Sequence, residues 1–188
     1  GGQQEAAAPA FVRFSAMLRV DYEADGRSTF AHSTHLSAGE IFLRSSKDFT
    51  EGQAVELKIS LAAKDKPLNL AGTVELRGEG NATATVVTFA PGQDASLRQL
   101  RKYIEAHLVT KLEESLARSL RSPERVLDLA AYYSEVERDG DALALCRKAW
   151  QANPQSLLIC EALAQRLVDH AHGEDGASLL AELTQVLE

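Results

Sequence analysis

Residues 33–46 read STHLSAGEIFLRSS, and this stretch decides how the first half of the chain is understood. Ser37-Ala38-Gly39 is a small-residue turn, and the apolar run Ile41-Phe42-Leu43 follows it at once. A serine and a glycine held between two strands can present backbone N–H groups to an anion. The next residue is Glu40, a carboxylate where an anion site would want none. The tight turn itself accounts for small residues and a φ-permissive glycine, whatever the turn binds.

Period-two patterning extends on both sides of this turn. Val55, Leu57, Ile59 and Leu61 alternate with polar residues, Leu68, Leu70, Val74 and Leu76 repeat the pattern, and 83–89 closes the set. Turn chemistry at Asp25-Gly26, Glu51-Gly52, Asp65-Lys66-Pro67 and Gly78-Glu79-Gly80-Asn81 separates the runs. Short antiparallel strands without intervening helices predict a small barrel or sandwich over residues 10–93.

After Pro91-Gly92 the period changes. Leu97, Leu100, Ile104, Leu108, Leu112, Leu116 and Leu120 recur at three or four residues, which predicts a long helix over 94–121. Steps of four advance the stripe by about 40° each, so the two ends face different ways. The first half is expected on the barrel and the second on the C-terminal segment; a coiled-coil seam would alternate threes and fours. Ser122-Pro123-Glu124 then has the form of a helix start, with Ser122 as N-cap and Pro123 first in the helix. From there to 188 short helices are expected, with breaks at 138–141, 153–154 and 172–176.

Composition sets the outer limits. The chain has 188 residues, 45% hydrophobic and 25% charged, with a net charge of −7. That balance fits a soluble globular protein and argues against a nucleic-acid surface. No apolar run approaches the roughly 20 residues of a membrane span. Cys146 and Cys160 form no CxxC motif, which points to a reducing cytoplasm. Residues 1–9 are expected to be a disordered or artificially added tail, or the cut end of a longer protein.

In its order of parts, the segment from Ala10 to Leu108 resembles the PilZ domain. The likeness rests on the strand Met17-Leu18-Arg19-Val20-Asp21-Tyr22, the turn Leu36-Ser37-Ala38-Gly39, Ile41-Phe42-Leu43, the Gly52 turn and the strand ending Val87-Thr88-Phe89. The helix containing Leu100-Arg101-Lys102-Tyr103-Ile104 completes it and is most similar to the myxobacterial-type branch. The resemblance implies an α+β fold, a six-stranded antiparallel barrel with a long C-terminal helix, and a bacterial signalling or motility role linked to cyclic di-GMP. Nucleotide-binding members carry RxxxR before the first strand and D/NxSxxG after the second. Arginine forks clamp phosphates, and the turn supplies backbone and serine hydrogen bonds. Here Pro9-Ala10-Phe11-Val12-Arg13 keeps only the second arginine, and His35-Leu36-Ser37-Ala38-Gly39-Glu40 keeps only Ser37, with Gly39 beside it. Arg13, Ser37 and Gly39 are therefore the candidate nucleotide-site remnants. Cyclic di-GMP binding in the family mode is expected to be lost; the alternative is a receptor that holds it differently, with Arg19 and Arg27 as further cations.

Residues 122–188 resemble tetratricopeptide repeats. Leu129, Ala130, Tyr133, Ala142, Ala149 and Pro154 fall at the motif's spacings, and Leu163, Ala164 and Leu167 begin a second, looser unit. The resemblance implies a helical-hairpin domain that takes another bacterial protein as its partner, with homo-oligomerisation through the long helix as a competing role. No enzyme is expected, since no GxSxG, P-loop, HExxH or GxGxxG is present. His170 and His172 are read as a solvated helix end, and His32 and His35 as facing opposite sides of a strand, so no metal is expected. Glu113-Glu114 and Glu135-Glu137 are read as surface charge, and Trp150 and Tyr132 as core.

Overall fold

Alternating burial is what most of the strands share; the one at 84–89 instead buries Thr85, Val86 and Val87 in a row. The computed structural model describes residues 11–24, 26–44, 49–62, 65–78 and 84–170, together with 178, 181, 182, 184 and 185. The chain divides into two compact units, residues 1–108 and 109–188.

In the first unit the strands are β1 (Phe14–Ser15), β2 (Arg19–Ala24), β3 (Arg27–Leu36), β4 (Glu40–Leu43), β5 (Ala54–Ser60), β6 (Leu68–Arg77) and β7 (Ala84–Phe89). All pairings are antiparallel in the order β1-β3-β2-β5-β6-β7-β4, and a further β3–β4 pairing closes the ring. The six longer strands thus form the barrel that the sequence led one to expect, and the two-residue β1 extends the line of β2 along β3. Closure leaves no long unpaired edge among them. Val20, Leu36, Ile41, Leu57, Ile59 and Val74 are almost wholly buried inside it. Where β1 passes to β2, the buried Ser33 hydroxyl donates to the Ala16 carbonyl at 2.5 Å and accepts from the Leu18 N–H at 2.9 Å. Two backbone groups the ladder leaves open are thereby satisfied.

A bulge in β3 corrects one expectation. The register with β4 shifts between Ser33 and His35, so the alternation changes phase there. His32 and His35 are both exposed instead of facing opposite sides. Phe30 meets His32 edge-on at 5.7 Å, whereas His35 meets Phe42 at 6.0 Å.

The predicted helix is present as α1 (Asp94–Tyr103), a π-helical segment (Ile104–Val109) and α2 (Thr110–Arg118). Gln93 ties the start of α1 to β6: its amide donates to the Ala71 carbonyl at 2.9 Å and accepts from the Ala71 N–H at 2.6 Å. Leu100 and Ile104 are buried as the stripe requires, but the next buried residue is Val109, not Leu108. A π turn spans five residues where an α turn spans four, and it moves the inward position on by one. Within its own unit α1 lies against β6, and within the second unit α2 lies against α3.

The second unit continues with α3 (Pro123–Glu135), α4 (Asp139–Ala152) and α5 (Leu157–His170), which pack on one another. Pro123 opens α3 after an extended Ser122, as expected, but the Ser122 hydroxyl donates to Glu124 at 3.3 Å and caps no backbone N–H. Val126, Leu129, Ala130, Ala142, Cys146 and Ala149 are buried, so the small residues lie where α3 and α4 meet. Ile159, Leu163 and Leu167 bury the inner side of α5. The tail at 1–9, His172 and nearly all of the second helix of the looser repeat lie outside the described residues.

Candidate functional site

The turn after β3 satisfies itself. Ser37 is fully buried, and its hydroxyl accepts from the Gly39 N–H at 3.2 Å and the Glu40 N–H at 3.0 Å. The Ser37 N–H and hydroxyl in turn donate to the Glu40 carbonyl at 2.9 and 3.3 Å. The backbone donors that would cradle an anion are therefore already engaged. Gly39 is not in the left-handed region, so the φ argument for it does not hold. Its place is set by room: a Cβ there would lie 2.5 Å from the Phe11 ring.

Glu40 is the centre of the site. Its side chain is 13% exposed, and it lies on the outward side of β4 with Phe42. One carboxylate oxygen accepts from Arg13 Nε and Nη2 at 3.1 and 3.0 Å, and the other meets Arg77 Nη1 at 2.7 Å. The two guanidinium groups lie 4.5 and 5.9 Å from the Phe42 ring centre, the quadrupole of which favours cations. Arg77 also donates to Glu75 at 2.7 Å, and Thr88 donates to the far oxygen of Glu75 at 2.8 Å. Hydrogen bonds from Arg77 and Thr88 hold the Glu75 carboxyl below the usual carboxylate range. Two arginines and two carboxylates balance in charge.

The structure thus brings Arg13, Ser37 and Gly39 together around Glu40. It does not bring in Arg19, which donates to Asp21 at 2.8 Å and stacks 4.3 Å over Phe30 on β2 and β3. The second guanidinium is Arg77, at the end of β6, which the sequence reading did not single out. Alternation along β6 already turns Glu75 and Arg77 outward. What brings them to Glu40 is the neighbour order β6-β7-β4, in which Glu40 pairs with Thr88 and Thr88 with Thr73. Among the described residues no group of histidine, cysteine and carboxylate side chains could hold a metal.

Closed antiparallel barrels of this size, with a charged cluster outside the turn and a helix after the last strand, define a small barrel domain with α+β architecture. The chain belongs to the PilZ-domain family, the profile of which matches residues 9–106. Among solved structures, the chain is similar to the Bacillus subtilis inhibitor of motility, MotI (DgrA), at 18% identity and a TM-score of 0.41. That likeness covers 54% of this chain and 49% of the other, so the chain spans about half of that protein. It is also similar to the PilZ domain of Escherichia coli YcgR, solved with cyclic di-GMP, at 15% identity and a TM-score of 0.43, covering 61% of this chain and 98% of that one. No curated protein matches the sequence. Among the described residues no helix is long and apolar enough to cross a membrane.

Proposed function

We propose that this is a non-enzymatic bacterial regulatory or scaffold protein, in which a degenerate, myxobacterial-type PilZ barrel no longer takes cyclic di-GMP and tetratricopeptide-like helices bind a protein partner. One observation carries the first half of this reading: the Glu40 carboxylate bridges the two arginines at 3.0 and 2.7 Å. An incoming phosphate would have to displace that carboxylate and lie beside it. The family's first arginine is absent, and the amides of the turn are used by Ser37. Burial of Leu129 and Ala130 on α3 and of Ala142 and Ala149 on α4, two helices that pack together, supports the repeat reading of the second unit.

A receptor that binds the nucleotide in an altered pose is the second reading. What favours it is Arg77, a guanidinium near the same aromatic ring as Arg13. Capture from a bacterial lysate by the chain with and without residues 122–188 tests the scaffold role: a partner lost on truncation supports it, and identical captures contradict it. Light scattering across concentrations separates both readings from self-association through the helix at 94–118, which requires mass to rise with concentration.

A further inference from the structure

The second unit has an apolar groove of about 500 Å³ between α2, residues 119–120, α3 and α4. We propose that this groove is the docking site for an extended, acidic peptide segment of a partner protein, its apolar side chain seated between two carboxylates. The inference rests on the scaffold reading above and names the surface that reading needs.

The groove's volume is in the range of specific ligand sites. Ala117, Leu120, Leu145 and Ala152 are the apolar lining residues that remain accessible, with Leu116 and Leu129 buried beneath them. Its lining runs along α2 and the following residues from Glu113 to Leu120 and along α4 from Leu145 to Ala152, about 10 Å at 1.5 Å per residue. That length takes about three residues of extended chain at 3.3 Å each, enough for one apolar anchor and a residue on either side.

Charge selects the anchor's neighbours. Three charged side chains line the groove: Glu113, Arg118 and Lys148. Glu113 is already engaged, because the Tyr133 hydroxyl donates to it at 2.6 Å. Among the described residues neither Arg118 nor Lys148 makes an ion pair or hydrogen bond, and both are exposed. Residues 109–188 carry fourteen acidic and eight basic side chains, so the unit as a whole is acidic. Two of those eight cations, Arg118 and Lys148, nevertheless line this one groove. At physiological salt charges more than about 8 Å away are largely screened, so a bound peptide meets chiefly the groove's own charges, Arg118 and Lys148 against Glu113.

The test uses the full chain and fluorescent, acetylated seven-residue peptides with leucine at the centre. The flanking positions are filled from Asp and Glu, from Lys and Arg, or from Ser and Gln. The acidic set should bind best. Arg118→Glu and Lys148→Glu, both at exposed positions, should each weaken it at least tenfold, and Leu145→Asp should abolish it. Equal binding by all sets, preference for the basic or polar set, no binding by any set, or acidic binding that survives both charge reversals would each overturn the proposal. If the groove fails while a lysate partner is still lost on removal of 122–188, the scaffold reading stands and only this surface is wrong. Self-association abolished by Leu145→Asp, without peptide binding, would assign the groove to a second copy and also overturn it.

Discussion

Glu40→Gln removes one charge and little volume from the centre of the site, which makes it the sharpest perturbation available. Each Arg–Glu40 pair has charge centres about 4 Å apart, worth about 4 kcal/mol at an effective dielectric of 20 before desolvation is counted. Arg13 and Arg77 are 48% and 39% exposed, so solvent screens most of that. Pairs of this kind are worth up to about 1 kcal/mol each, and the variant should therefore lose up to about 2 kcal/mol in urea unfolding. The same change should open the site. A phosphodiester about 6 Å from a carboxylate is repelled by about 1–3 kcal/mol over dielectrics of 20 to 60, so its relief is worth about five- to hundredfold in affinity. Calorimetry with cyclic di-GMP should therefore show binding by Glu40→Gln at least about fivefold tighter than by the unaltered chain, and the further change Arg77→Ala should remove the gain. Unchanged affinity together with unchanged stability would refute the view that this carboxylate occupies the arginines.

Three further outcomes rest on single contacts. Burial, and then the hydrogen bond to Glu113, push the Tyr133 hydroxyl up to about 12. Above pH 10 the unfolded chain loses this proton first, so stability should fall as the pH rises from 10 to 12, and Tyr133→Phe should flatten that part of the curve. Glu137 sits at φ 60° just after α3, a left-handed position that costs a side chain about 1 kcal/mol, so Glu137→Gly should raise the unfolding free energy by about that amount. Ser37→Ala leaves the N–H groups of Gly39 and Glu40 without their partner and should cost about 1–3 kcal/mol, measured by thermal or urea unfolding.

The barrel was legible because most of its long strands bury one face, and alternation records that directly. The turn was legible for the same local reason at Ser37, which bonds its immediate neighbours, but not at Gly39, the place of which is set by the distant Phe11 ring. What local pattern does not carry is phase and neighbourhood. The bulge near Thr34 puts His32 and His35 on the same side, and the π segment passes the buried position from Leu108 to Val109. Neither leaves a trace in residue type. Arg77 was missed, and Glu113 was read as mere surface charge, for a related reason: one reaches Glu40 only through strand order, and the other meets Tyr133 only through the packing of α2 on α3. The apparent shortage of one guanidinium was thus a shortage in sequence alone. In space there are two, held by one acid.

The central claim is that an internal carboxylate fills the place of a ligand's charge. Its most direct test is calorimetric titration of the unaltered chain with cyclic di-GMP at micromolar protein. The account predicts no saturable heat from micromolar nucleotide. Tight binding that Arg13→Ala abolishes would contradict it.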